Sequence, residues 1–229
     1  MGVICISRQM GTHGSVIAAK VAEELGYRYI DGQITDWISS RSGLPEELLM
    51  RWDERGPRGF VDRLLDRAFL THYGMDWGLY GTGGYHDGVV QARLSEMANA
   101  TYREELPALI EDLGNAGFVV TVGRGAGFLL LDKVPDLLHV RLIASEEQRA
   151  TVLVERMGLS PDCALALVRR SADQRRKFIL DLCQADWDDL KAYDAVINTG
   201  LIGVDGAKDL IVGMAKRRQR FPVVGETAG

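Results

Sequence analysis

Near the start of the chain lies the turn Ile6-Ser7-Arg8-Gln9-Met10-Gly11-Thr12-His13-Gly14-Ser15. The apolar run 3–6 before it is typical of a buried parallel strand. Residues 16–25 after it place their apolar side chains near helical spacing, and a second β-rich run follows at 27–31. Strand, glycine-bearing turn, helix and strand predict the opening βαβ unit of an α/β domain. Such a turn presents helix N–H groups to an anion such as phosphate.

The phosphate-loop pattern G-x-x-x-x-G-K-[ST] matches few residues of this turn, but its structural context, a strand before and a helix after, is present. Arg8 stands at the first glycine and His13 at the second. Gly14 stands at the lysine, and Ser15 matches its motif position. Gly11 and Gly14 favour phosphate binding, because the backbone has to approach a bound phosphate closely. An ordinary strand-to-helix turn with Ser15 as the helix cap explains the same residues.

Composition bounds the class of protein. The 229 residues are 46% hydrophobic and 26% charged, which indicates a single domain over 1–229 with room for an insertion. The net charge of −5 argues against a role in binding nucleic acid. No apolar run has the length of a membrane span, so we expect no membrane partner. The three cysteines are scattered and form no metal-type pair, which favours a cytoplasmic protein. Cys5 lies in an apolar strand and is therefore expected to be a buried thiol.

Strands and helices continue to alternate along the rest of the chain. Strands are predicted at 118–122, 137–143 and 195–198, which favours a doubly wound parallel sheet with its site at the carboxyl ends of the strands. Ser145 is predicted to cap a helix that runs to Met157, and Ser160 to open the next one. The last helix is predicted at 204–214, followed by a flexible tail at about 216–229.

Two segments, about 32–117 and 156–190, interrupt this alternation. The first contains predicted helices at 57–71 and 90–113, and Pro107 is expected to kink the second of these or to begin another helix. Between them, residues 74–88 are rich in glycine and aromatic side chains. Such a stretch suits a ligand-covering loop or a disordered surface loop.

Several blocks of the sequence resemble one known family. They are residues 6–15, residues 25–31, Val122-Gly123-Arg124-Gly125-Ala126, His139-Val140-Arg141-Leu142, Asp186-Trp187-Asp188-Asp189 and Tyr193-Asp194-Ala195-Val196-Ile197-Asn198-Thr199. In this order they resemble the cytidylate-kinase-like family, a branch of the nucleoside monophosphate kinases with an altered phosphate loop. The resemblance implies a P-loop kinase fold in which 32–117 is a helical acceptor-binding insertion and 156–190 a lid. It also implies that ATP is a substrate together with Mg²⁺ and that the partners are small-molecule nucleotides. A homo-oligomer stays open.

The resemblance assigns candidate binding residues. The ATP phosphates would lie against the turn at Gly11, Thr12, His13, Gly14 and Ser15, and Ser15 would also contact Mg²⁺ through the nucleotide. Arg124 directly follows a predicted strand and would grip the acceptor phosphate, since a planar guanidinium can bind a phosphate in two hydrogen bonds. A surface arginine in a turn is the alternative for Arg124. Asp31 would border the acceptor nucleotide or would cap a turn.

The candidate catalytic residues are arginines. The lid segment carries Arg169, Arg170, Arg175 and Arg176, which in a kinase lid would neutralise the charge of the transferring phosphoryl group. Without the resemblance, such a basic run is as a rule a solvated helix face. If transfer occurs without the loop lysine, another cation has to replace it, and Arg8 is the nearest candidate in sequence. The structural alternative is that Arg8 pairs with a carboxylate such as Asp31.

Three functions follow from these features. The resemblance implies transfer of the ATP γ-phosphate to a nucleoside monophosphate, with CMP or dCMP as the acceptor. Two departures from the kinase pattern favour a nucleotide-binding protein without transfer chemistry. Gly14 replaces the phosphate-loop lysine, and Gly123 replaces an aspartate that the monophosphate kinases often have just before the arginine that matches Arg124. A kinase for a small non-nucleotide acceptor fits the divergent segment 32–117.

Overall fold

A computed structural model describes residues 2–31, 33–49 and 88–218. The strands are β1 (Val3–Arg8), β2 (Arg28–Ile30), β3 (Val119–Val122), β4 (Leu137–Ile143) and β5 (Ala195–Asn198). Within the described ranges they form one parallel sheet in the order β2-β3-β1-β4-β5. Strand β1 is central, with Val3 opposite Val119 of β3 and Leu137 of β4. Its carboxyl end, where the turn begins, is therefore flanked by strands on both sides.

Helices pack on both faces of this sheet. They are α1 (Gly14–Leu25), α2 (Gln33–Ser42), α3 (Glu46–Leu49), α4 (Gly88–Ala116), α5 (Ala126–Leu130), α6 (Glu146–Met157), α7 (Pro161–Cys183) and α8 (Thr199–Arg218). A short 3₁₀ turn, Leu190–Ala192, precedes β5. Among the residues described, no helix is both long and apolar enough to cross a membrane.

The alternation of side chains along β1 divides the core in two. Val3 and the buried thiol Cys5 face a cluster that contains residues of α2 and α4, such as Ile34 and Tyr102. Ile4 and Ile6 face a second cluster built with α1 and α8. The predicted doubly wound α/β architecture, a parallel sheet with helices on both faces, is confirmed.

The described part of the segment 32–117 belongs to the core of the domain. Helix α4 buries Tyr102, Leu106 and Ile110 against the sheet and continues through Pro107. Because the apolar stripe on both sides of the proline packs on the same cluster, burial holds one helix where local preference favours a break. The helix predicted at 57–71 and the stretch 74–87 lie outside the described residues.

Helices α6 and α7 form a pair with its own apolar cluster. The Ser145 side chain accepts a hydrogen bond from the Gln148 N–H at 3.2 Å, and the Gln148 side chain accepts one from the Ser145 N–H at 3.3 Å. This capping box and the Ser160 cap begin the two helices where the sequence predicts them.

The last helix is longer than the predicted span 204–214. Helix α8 begins at Thr199, breaks its helical conformation at Gly203 and ends at Arg218. It therefore includes the first residues of the predicted tail, while 219–229 lie outside the described residues.

Candidate active site

The turn after β1 is tied to the end of β4. The Gln9 N–H donates to the Leu142 carbonyl at 3.1 Å, and the Gln9 side-chain oxygen accepts from the Ala144 N–H at 3.2 Å. The Thr12 hydroxyl donates to the Gln9 carbonyl at 2.8 Å, which folds the turn on itself. Helix α1 begins at Gly14 after His13 in the left-handed region, so Ser15 lies inside the first turn and is not the helix cap.

Two glycines of the turn are required by close approaches. Gly11 has φ +87°, and a Cβ there would lie 2.6 Å from the backbone oxygen of Arg149 in α6. A Cβ on Gly14 would lie 2.7 Å from Cγ and 2.9 Å from Cβ of Arg8. The side chain of Arg8 therefore lies against Gly14, at the position where the phosphate-loop pattern has its lysine.

A cavity of about 180 Å³ opens beside the turn. Residues 8–16 form one wall, and Val152 and Leu153 of α6 form part of another. Three arginines from three elements line it: Arg8 at the end of β1, Arg156 in the last turn of α6, and Arg175 in α7. Three guanidinium groups and a helix N-terminus around one space have the chemistry that suits an anion with several negative charges.

The structure separates the four arginines predicted to act together in the lid. Arg175 is buried, lines the cavity and donates a hydrogen bond to the Ser171 hydroxyl. The side chain of Arg169 is 61% exposed and pairs with Glu146 of α6 at 2.8 Å. Arg176 contacts Asp173 and Asp188, and Arg170 is exposed. Of this group, Arg175 is the member that the fold brings to the phosphate loop.

Asp31, Ser15 and Arg124 meet at the carboxyl ends of β2 and β3. The Ser15 hydroxyl donates to the Asp31 carboxylate at 3.1 Å, and the Tyr29 hydroxyl donates to the same oxygen at 2.9 Å. Arg124 donates to the Asp31 backbone carbonyl, and its Nη1 lies 3.5 Å from the other carboxylate oxygen. Only 1% of Arg124 is exposed, and it has φ +55°. The two predicted acceptor residues thus lie together, directly beside the phosphate loop.

The sequence-based site omits Arg156 of α6, which lines the cavity, and Arg149 of the same helix, whose backbone lies against Gly11. Arg149 is buried, and its Nε donates to the Ala144 carbonyl at 3.1 Å; burial also lowers the pKa of this guanidinium. Partial burial and the charge of Arg156 lower the pKa of His13, which leaves the His13 imidazole neutral at pH 7. Arg149 and Arg156 are seven residues apart, so a helix over this segment places them on one face. Because the sequence predicts α6 from its cap, this spacing could have indicated that the two arginines share a face.

Comparison with known proteins assigns the family. Residues 3–201 match the cytidylate kinase-like family. The chain belongs to this family. A cytidylate kinase of Methanocaldococcus jannaschii is 31% identical over 111 residues, which make up 47% of this chain and 61% of that protein. A cytidylate kinase of Pyrococcus horikoshii is 24% identical over 205 residues, 89% of this chain and 83% of that protein.

The fold is shared with a solved structure. An uncharacterized protein from Eubacterium ventriosum superposes with a TM-score of 0.63 at 18% identity, over 95% of this chain and 99% of that one. This likeness concerns the fold, and it is the family that supports a nucleotide kinase, and therefore an enzyme.

A kinase of this family implies ATP with Mg²⁺, and the side chains at the phosphate loop fit that ion. The Ser15 hydroxyl and the Asp31 carboxylate, whose oxygens lie 3.1 Å apart, would supply hard oxygen ligands. Mg²⁺ in phosphoryl-transfer sites is bound by one or two carboxylates together with substrate phosphates and water. Asp31 would therefore supply a carboxylate in place of the aspartate that is missing at position 123.

Proposed function

We propose that the protein transfers the γ-phosphate of ATP to a nucleoside monophosphate, with CMP or dCMP as the acceptor. The observation that carries this proposal is the cavity at the phosphate loop, lined by Arg8, Arg156 and Arg175. The choice of acceptor is supported by the family and by two archaeal relatives that are named cytidylate kinases.

Phosphoryl transfer needs positioning and charge neutralisation more than covalent chemistry. In the proposed mechanism the β- and γ-phosphates of ATP accept hydrogen bonds from N–H groups of the turn 11–15, since the first N–H groups of a helix have no partner within the helix. Arg8, packed on Gly14, supplies the positive charge of the missing lysine. Arg175 and Arg156 approach the phosphates from the other side of the cavity and stabilise the charge of the transferring group.

The proposed metal and acceptor positions lie next to each other. Ser15 and Asp31 would hold Mg²⁺, which when bound neutralises charge on the β- and γ-phosphates. Arg124 contacts Asp31 in the structure, and in the proposal it exchanges this contact for the phosphate of the acceptor. The predicted lid 156–190 comprises the end of α6, all of α7 and the segment before β5, and it carries Arg156 and Arg175.

The proposal is tested by a coupled assay that measures ADP release with ATP, Mg²⁺ and a panel of CMP, dCMP, UMP, AMP and GMP. We expect kcat/KM to be highest for CMP or dCMP. ATP binding without transfer to any acceptor would instead support a nucleotide-binding protein. Transfer restricted to a small non-nucleotide acceptor would support a different kinase.

The role of Arg175 has its own test. Arg175→Ala is expected to lower kcat by roughly 10²–10³-fold, the usual loss for one donor aimed at transition-state charge. Lys177→Ala is the matched control, because Lys177 is an exposed cation on the same helix. Thermal melting corrects both rates for the amount of folded protein. Equal losses in the two variants would mean that the cavity-lining position of Arg175 has no part in transfer.

A further inference from the structure

The carboxylate of Asp188 connects the sheet to α7, which is called the lid helix below because it lies in the predicted lid. Nη2 of Arg141 on β4 donates to Oδ1 of Asp188 at 2.5 Å, and Nε of Arg176 on α7 donates to Oδ2 of the same side chain at 2.5 Å. Burial raises the pKa of this carboxyl, but the hydrogen bonds and the positive charges of Arg176 and Arg141 together outweigh burial and bring the pKa below its ordinary value. Asp188 is therefore ionised at neutral pH, and both of its hydrogen bonds are charge-assisted.

The sheet end of this connection is held rigidly. Arg141 is 4% exposed, and its guanidinium lies 4.3 Å from the centre of the Trp187 ring and 5.5 Å from that of Tyr193. Arg141 also donates to the Trp187 carbonyl, which accepts from the Tyr193 hydroxyl at 2.7 Å. A guanidinium stacked on aromatic rings and bonded to a backbone carbonyl has little freedom to move.

The segment that carries Asp188 is also bonded to the strand before the phosphate loop. Nδ1 of the buried His139 is 2.7 Å from the Ala192 carbonyl, and its Nε2 is 3.1 Å from the Ser7 hydroxyl. Burial lowers the pKa of His139 to about 4, so at neutral pH the ring donates from Nδ1 and accepts from Ser7 at Nε2. Ser7 immediately precedes Arg8. Asp188 is thus fixed relative to the strand that leads into the turn.

At the lid end of the connection, the arginine that contacts Asp188 is the chain neighbour of Arg175. Arg176 is the next residue on α7, and successive residues of a helix are about 100° apart around its axis. A contact that holds Arg176 towards Asp188 therefore restricts the rotation of α7. In the orientation that α7 has in the structure, Arg175 lines the cavity beside the turn.

We infer that Asp188 is a positioning residue for phosphoryl transfer: by holding Arg176 against the fixed Arg141, it sets the rotation of the lid helix so that Arg175 faces the phosphates. The inference deepens the proposed function and rests on it. It gives different tasks to adjacent arginines, since Arg176 anchors the helix and Arg175 contacts the nucleotide.

The test compares Asp188→Asn with Asp173→Asn. Both changes remove one negative charge from a partner of Arg176, but Asp173 lies on the same helix three residues away, with its side chain 76% exposed. Asp188→Asn is expected to lower kcat by roughly 10- to 100-fold, because a small misplacement of a catalytic group costs that much. The KM for ATP should change little. Asp173→Asn should leave kcat within about threefold of wild type, since exposed pairs of this kind contribute little.

Asp188→Glu and amide hydrogen exchange complete the test. Asp188→Glu retains the charge and should recover part of the rate that Asp188→Asn loses. Such a recovery would show that the negative charge at this position is what matters for transfer. In the protein without nucleotide, Asp188→Asn should accelerate exchange of α7 amides around Arg175, and Asp173→Asn should not.

Equal kcat losses for the two asparagine variants, or unchanged exchange in Asp188→Asn, would overturn the inference. Wild-type protein that transfers phosphate to no acceptor would overturn the proposed function. The exchange comparison would then still show whether Asp188 holds the helix.

Discussion

Replacement of Arg8 tests whether an arginine can take over the task of the phosphate-loop lysine. Arg8 is buried, and its Cβ and Cγ lie in the space that a side chain on Gly14 would occupy. Arg8→Met keeps an unbranched stem in that space and removes the charge, whereas Arg8→Lys keeps a charge without the planar fork. A charge aimed at the developing transition state is worth about 2.7–4 kcal/mol, or roughly 10²–10³-fold in kcat.

The assay is the coupled measurement of ADP release, with melting temperature recorded for every variant. We expect Arg8→Met to lose kcat by that factor with a much smaller rise in the KM for ATP, and Arg8→Lys to retain part of the rate. If Arg8 serves only to hold the turn through a carboxylate, Arg8→Met will lower the melting temperature and leave kcat per folded molecule unchanged. That result would refute the proposed role of Arg8.

An exchange of the two positions sharpens this test. Arg8→Gly with Gly14→Lys restores the first glycine and the lysine of the phosphate-loop pattern, and it also removes the overlap between the two side chains. We expect the double variant to transfer phosphate roughly tenfold faster than Arg8→Gly alone, since residues in contact act non-additively. Gly14→Lys alone should be poorly active, because its side chain meets Arg8.

Two further predictions concern the acceptor and the buried histidine. Arg124→Lys keeps the charge but loses the planar fork, so the KM for CMP should rise by roughly 10-fold while the KM for ATP stays the same; initial rates with each substrate varied decide this, and equal rises would indicate damage to the fold. His139 has a pKa of about 4 in the folded protein against 6.5 ordinarily, so the stability it contributes is complete above pH 6.5 and is lost as the pH falls towards 4. Melting temperatures at pH 7 and pH 4.5 should therefore differ less in His139→Asn than in wild type, and an equal difference would contradict the prediction.

Short-range patterns in the sequence predicted most of the secondary structure. Strands β4 and β5 have the predicted ends, because each is an apolar run bounded by polar or turn residues. Helix α6 begins where its capping box predicts, since both hydrogen bonds of that box join residues three apart. Local preference left open whether one helix or two cross Pro107, and it placed the end of α8 too early; the structure has one helix across Pro107, and α8 continues to Arg218.

The sequence alone therefore determined the order of the elements and the family, and it predicted the turn at which an anion would bind. Each depends on residues close together in the chain or on blocks kept in a fixed order. It could not determine which arginines face that turn, because the basic run 169–177 covers all sides of a helix and the rotation of that helix is set elsewhere. Asp188 lies 47 residues from Arg141, and Asp31 lies 93 residues from Arg124. Only the pairing of β4 with β1 and the packing of α6 against α7 bring Arg156 and Arg175 to the cavity. Only the sheet order places Asp31 beside Ser15.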